Sequence, residues 1–262
     1  MARTARWALK KYKNGVAEYK LSSWKYFSDF VSQEMLNFTT YVYRGHGDSS
    51  WKLEPTLDRL IKDPTSYKRG AHLERFKFET RGRRGSSPIK LEDDNDWWAL
   101  GQHHGLATPL LDWTESPFVA LFFAASNASA MDSEFFSIHA ISQGSIKSIN
   151  EKINHDVSVP LVNGRKQTVK IVKPLSDENK RLVSQRGLFT RGPNNIDLET
   201  WVHTNTDASI RDMRVMKVVI PNKDTSECLR YLNRMNISHS TLFPDLPGAS
   251  EFCNLHLSIE KY

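Results

Sequence analysis

The chain has 262 residues, 39% hydrophobic and 11% aromatic, which is enough apolar bulk for a packed core and unlike the composition of a disordered chain. Lys and Arg number 36 against 30 Asp and Glu, so the formal net charge is +6 and anionic partners are favoured. The longest apolar run, Pro117 to Ala125, is about half of the ~20 residues that a bilayer-spanning helix needs, which argues against a membrane partner. The basic N-terminus has no apolar core of a secretory signal, and Cys228 and Cys253 are isolated, so a reducing, cytoplasmic setting is expected.

In chain order, Trp24, Phe27, Phe30, Val31 and Met35 recur at spacings of three and four and predict a helix over 22–36, capped by Ser22 or Ser23. TYVYR (40–44) reads as a strand that delivers Arg44 to a glycine-flanked edge, where Gly45 and Gly47 would let a ligand approach the backbone. Residues 92–104 read as a helix stopped by Gly105. Ser116 and Pro117 open a second helix, with Phe118, Leu121, Phe122 and Ala125 on its buried face. Strands are expected at 135–142, 169–172 and 213–220, and a helix at 226–235. No linker or repeat divides the chain, so it reads as one α+β domain over 1–262, with a basic insertion at about 62–92.

The residues that could carry chemistry fall in clusters. Arg44 is placed to grip phosphate or carboxylate oxygens, although a plain salt-bridged arginine is the bland alternative. Gln102, His103, His104, Asp112, Trp113, Thr114 and Ser116 are expected in the connection between two helices, with Trp113 as a flat face for a ring and the helix start as an anion site. Of the histidines, His104 is preferred over His103. Arg181 and Gln185 share a face, and Gln185 could hold a ribose hydroxyl. Phe243 and Asp245 read as structural. Arg81, Arg83 and Arg84 belong to a basic segment, 68–90, that suits a phosphodiester backbone. No sequence signature of a metal site appears.

These segments resemble the FRG domain family, named for a Phe-Arg-Gly motif that reads Tyr43-Arg44-Gly45 here. The matching stretches are 43–59, 102–124, 179–189 and 241–248. Tyr43 replaces Phe, and His46 stands where Gln is common. The motif order is also similar to the Arg-Ser-Glu class of ADP-ribosyltransferases, which implies a split mixed sheet with flanking helices and NAD as co-substrate. Carried over, Arg44 and Gly45 would bind NAD together with Gln102, Trp113, Thr114 and Ser116, while Gln185 falls where that class has Glu. Either another acid such as Asp112 serves or the chemistry differs; Arg44, His104, Asp112 and Gln185 are the catalytic candidates. The resemblance implies a bacterial or phage toxin or defence effector that modifies nucleic acid, with an antitoxin or inhibitor protein as a candidate partner. The alternatives are a non-catalytic nucleotide or nucleic-acid binding module, and a metal-free nuclease using His104 and Asp112.

Overall fold

A computed structural model describes residues 5–85, 88, 90–131, 133–174, 180–209 and 212–262. Ser86 and Ser87 of the basic segment and Asn179 of the third cluster lie outside the described residues. Eight strands are described: β1 (Trp7–Lys13), β2 (Val16–Leu21), β3 (Tyr41–His46), β4 (Leu110–Thr114), β5 (Phe135–Ser142), β6 (Lys170–Val172), β7 (Gly187–Arg191) and β8 (Val215–Pro221). They form one mixed sheet in the order β1-β2-β8-β5-β3-β4-β7-β6, antiparallel throughout except for the parallel β2–β8 pair. The protein is α+β, as the mixture of element types implies.

The sheet is continuous but nearly divided. β3 pairs with β5 along its whole length, whereas it meets β4 at the single pair Tyr43↔Thr114. The resemblance implied a split sheet; the structure instead has one continuous sheet whose narrowest join, between β1-β2-β8-β5-β3 and β4-β7-β6, is this residue pair. The N-terminal hairpin was not anticipated; Asn14 and Gly15, at φ 44° and 80°, make its turn.

Both faces of the central strands are covered. On one face the helix Pro117–Ser129, the helix Thr225–Arg234 and the helical stretch 24–35 enclose Phe27, Phe30, Tyr43, Phe122, Ile138 and Leu229. On the other, the helices Gln143–His155 and Leu198–Thr204 cover Val42, Ile141, Trp113 and Val215. The stretch 24–35 passes from a 3₁₀ turn (Trp24–Tyr26) through an α-turn to a π-turn (Val31–Met35), and the wider turn lets Met35 follow Phe30 into the core. The basic segment is not an open loop at its start. Lys68–Glu79 is a helix that buries Leu73 with Trp98 of the helix Asp94–His103. Asp93 caps the latter helix in a reciprocal box with Asp96.

Candidate functional site

Continued past Tyr43↔Thr114, the register would bring Gly45 opposite Asp112, yet no backbone pair forms there. The Arg44 side chain fills the gap instead. Its Nη1 donates to the Asp112 carbonyl at 2.8 Å and to Asp112 Oδ2 at 3.4 Å, giving the carbonyl the partner that the missing ladder would have supplied. Its Nε donates to His46 Nε2 at 3.1 Å, which leaves the Nη2 donors for a ligand. Asp112 in turn accepts from Gln102 Nε2 at 2.8 Å, and Gln102 Oε1 accepts from Thr108. The carboxylate is thus gripped by an amide and a guanidinium while its side chain stays 56% exposed.

Two adjoining cavities open here. The first, about 190 Å³, has Arg44, Asp112, Phe123, Asn127 and Gln185 in its walls; the second, about 200 Å³, has Gln102, His103, Arg181 and Phe243 and shares Asp112, Phe123 and Gln185 with the first. Together they reach the lower part of the ~300–1,000 Å³ typical of small-molecule sites. Guanidiniums stand toward either end, phenyl rings form a wall, and Asp112 lies where the cavities meet. Arg181 Nε donates to Asp245 Oδ2 at 2.5 Å and its guanidinium lies 5.0 Å from the Phe243 ring centroid. That hydrogen bond, with a second from Gly248 N–H, holds the Asp245 carboxyl below its ordinary range. Burial, then His104 and Arg181, push the His103 pKa down, so this ring is neutral at neutral pH.

Several sequence expectations are corrected. Asp112, Trp113 and Thr114 are not in a loop: LLDWT is strand β4, and Gln102 and His103 end the preceding helix. His103, not His104, borders the cavity, and His104 is exposed outside it. Trp113 is 3% exposed and its Nε1 donates to Thr190 Oγ1 at 2.8 Å, so its indole is core rather than a stacking platform. Phe123 supplies the accessible ring instead. It lies off the stripe of Phe118, Leu121, Phe122 and Ala125, and that displacement was the signal for it. Thr114 Oγ1 donates to the Gln185 carbonyl, and Ser116 Oγ accepts from Val119 N–H as the helix cap, so both hydroxyls are spent inside the protein. Gln185 borders both cavities, but its amide donates to the Leu242 carbonyl at 3.1 Å. Gly45 borders the first cavity, but the space its missing side chain leaves is taken by a helix. A Cβ there would lie 2.1 Å from the Ala120 carbonyl oxygen and 2.6 Å from Ala124 N, so the helix Pro117–Ser129 is what approaches.

The basic segment divides in the same way. Arg69 is buried against Asp58 at 2.7 Å, and Lys77 bridges Glu74 and Asp94 at 2.8 Å each. Arg81 stacks on Phe78 at 3.7 Å, Arg84 lies 5.2 Å from Trp97, and Arg83 is 4.0 Å from Glu79; Arg81 and Arg83 remain exposed. Among the described residues no cluster of three or more His, Cys, Asp or Glu is placed to hold a metal, and no helix is long and apolar enough to cross a membrane.

Residues 39–133 match the FRG domain model, so the chain carries an FRG domain that spans β3, β4 and the helix between Pro117 and Ser129. No curated protein and no solved structure matches the chain.

Proposed function

We propose that the β3/β4 cleft binds NAD and that the domain transfers its ADP-ribosyl group to an acceptor. The convergence of the Arg44 guanidinium and the Asp112 carboxylate, 3.4 Å apart in an open cleft, carries this reading. The Arg44 Nη2 donors and Arg181 suit the pyrophosphate, and Phe123 or Phe243 offers an apolar face for a ring. Asp112 takes the place of the absent glutamate at Gln185. When the glycosidic bond breaks, nicotinamide leaves with the bonding pair, and the carboxylate stabilises the cationic ribosyl centre until an acceptor nucleophile closes on it and loses its proton to water. The expected acceptor is nucleic acid, the charge-compatible partner for this basic chain, in the setting of a toxin or defence effector.

The test is nicotinamide release by wild type, Asp112→Asn and Arg44→Ala. Asp112→Asn should lower turnover about 10²–10³-fold in a folded protein, the scale of losing one electrostatic group aimed at developing charge. Wild-type protein, shown to be folded, that consumes no NAD with RNA, DNA or protein present would sink the reading. A second reading, a non-catalytic nucleotide-binding module, is favoured by the internal use of Thr114, Ser116 and the Gln185 amide. Binding that depends on Arg44 but brings no turnover selects it.

A further inference from the structure

A larger cavity, about 700 Å³, lies at the other end of β4 and β7. Thr114↔Gly187 marks the cleft end of this pair and Leu110↔Arg191 the far end, so about 13 Å of strand separates the two sites. Arg165, Lys166, Lys170 and Arg191 line the cavity, and no carboxylate does among the described residues.

The four cations are not equivalent. Lys166 Nζ donates to the carbonyls of Ile153, Asn154 and Asp156, closing the end of the helix Gln143–His155. Lys170 is 3.3 Å from Asp93 Oδ2. Arg191 has only a neutral partner, donating from Nη1 to Asn95 Oδ1 at 2.9 Å. Arg165 makes no ion pair or side-chain hydrogen bond among the described residues. Burial, then Arg165, depress the Arg191 pKa, yet an arginine so shifted keeps its charge at neutral pH. Two guanidiniums therefore line one concavity with no carboxylate in its walls; Asp94 and Asp93 act on Arg191 from outside it, and an anion between Arg165 and Arg191 would relieve their repulsion.

We infer that this cavity binds the phosphodiester backbone of a nucleic acid through Arg165 and Arg191. Two planar guanidiniums match phosphate oxygens bidentately. The remaining walls favour nucleic acid over an acidic protein: they carry the amides of Asn154, Asn163, Gln167 and Asn194, and offer no aromatic anchor of the kind that forms the core of a protein interface. Under the transferase reading this is where the acceptor strand is held, one strand length from the Arg44 cleft. The binding claim itself needs no NAD chemistry.

Fluorescence anisotropy with short RNA and DNA oligonucleotides, across a salt series, tests it on the full chain. Arg165→Ala should weaken binding about tenfold near physiological salt and reduce the slope of log K against log salt by about 1, as loss of one phosphate contact requires. Arg165→Glu should weaken it further, and Arg191→Lys, which keeps the charge while losing the fork, should weaken it less than Arg165→Glu. Because Arg165 is exposed, its variants should remain folded. Oligonucleotide binding by Arg165→Glu equal to wild type overturns the proposal. So does wild-type binding of inorganic polyphosphate alone, or of neither. Arg165-dependent binding in a protein that consumes no NAD would uphold this site and sink only the transferase.

Discussion

At the residue scale, Arg44 is held from two sides, by Asp112 in the cleft and by His46 behind it. His46 is 4% exposed and accepts from Arg44, and its ring centroid lies 4.7 Å from that of fully buried His139. His139 Nε2 lies 3.0 Å from Glu199 Oε1, without hydrogen-bond alignment. Burial above all drives both histidine pKa values down, reinforced at His46 by His139 and Arg44 and opposed at His139 by Glu199. The rings are therefore neutral in the folded protein but take up protons below pH ~6.5 once unfolded. Above that pH they contribute no pH dependence. Below it the unfolded state binds more protons, so stability falls as pH falls, by up to about 1.4 kcal/mol per pH unit for each ring. Urea midpoints at pH 7 and pH 5 should differ markedly for wild type and by less for His46→Gln. Equal shifts in the two proteins would show that His46 is not one of the groups responsible.

At the element scale, the join between β3 and the helix Pro117–Ser129 depends on small residues on both sides. Gly45 meets Ala120 and Ala124, and Gly47 would place a Cβ 2.7 Å from Asn127 Cβ. Gly45→Ala should cost about 1–3 kcal/mol, because backbone rather than a flexible side chain must move. Gly70→Ala, inside the helix Lys68–Glu79 and facing open space, should stabilise by about 0.5–1 kcal/mol. Denaturation midpoints moving in opposite directions would establish the difference, and equal shifts would refute the close-approach argument. The same packing explains what could be read from sequence. The helices after Asp93 and Ser116 were legible because period and caps agree there, and strand β5 and the helix Thr225–Arg234 from their residue pattern alone. LLDWT was missed because five residues beside Pro109 are too short for a clear alternation. The helix Leu246–Ser258 was hidden by Pro247 and Gly248, which read as a turn although Pro sits in its first turn and Asp245 caps it. The hairpin carries its own signal in Asn14-Gly15, a turn dipeptide between β1 and β2. Arg44, Gln102, Asp112 and Gln185 were visible as candidates, whereas the accessible ring and the choice of histidine depend on a helix's rotation, which the sequence pattern left undetermined.

At the scale of the whole molecule, the near-division of the sheet makes stability uneven. The half ending at β3 shares the large core around Phe122, Phe136 and Leu229, and β5 is buried along almost all its length. The other half ends in β6, a three-residue strand, and its backbone joins β3 through one pair, although Leu111, Trp113 and Leu188 share a core with Val42 and Ile141 across the join. Local opening free energies follow such differences in buried contact, so amides of β4 and β7 should exchange hydrogen faster than those of β5 and β8. A ligand in the cleft touches Arg44 on one half and Asp112 on the other, and ties the halves together in proportion to its binding free energy. NAD at saturation should therefore slow exchange in β4 and β7 most, with little change in β5, and Arg44→Ala should abolish that protection. Protection confined to surface loops, or unchanged by Arg44→Ala, would mean that the ligand does not bridge the split. Oligonucleotide bound at Arg165 and Arg191 should instead protect β6 and the far end of β7, so one exchange map distinguishes the two sites.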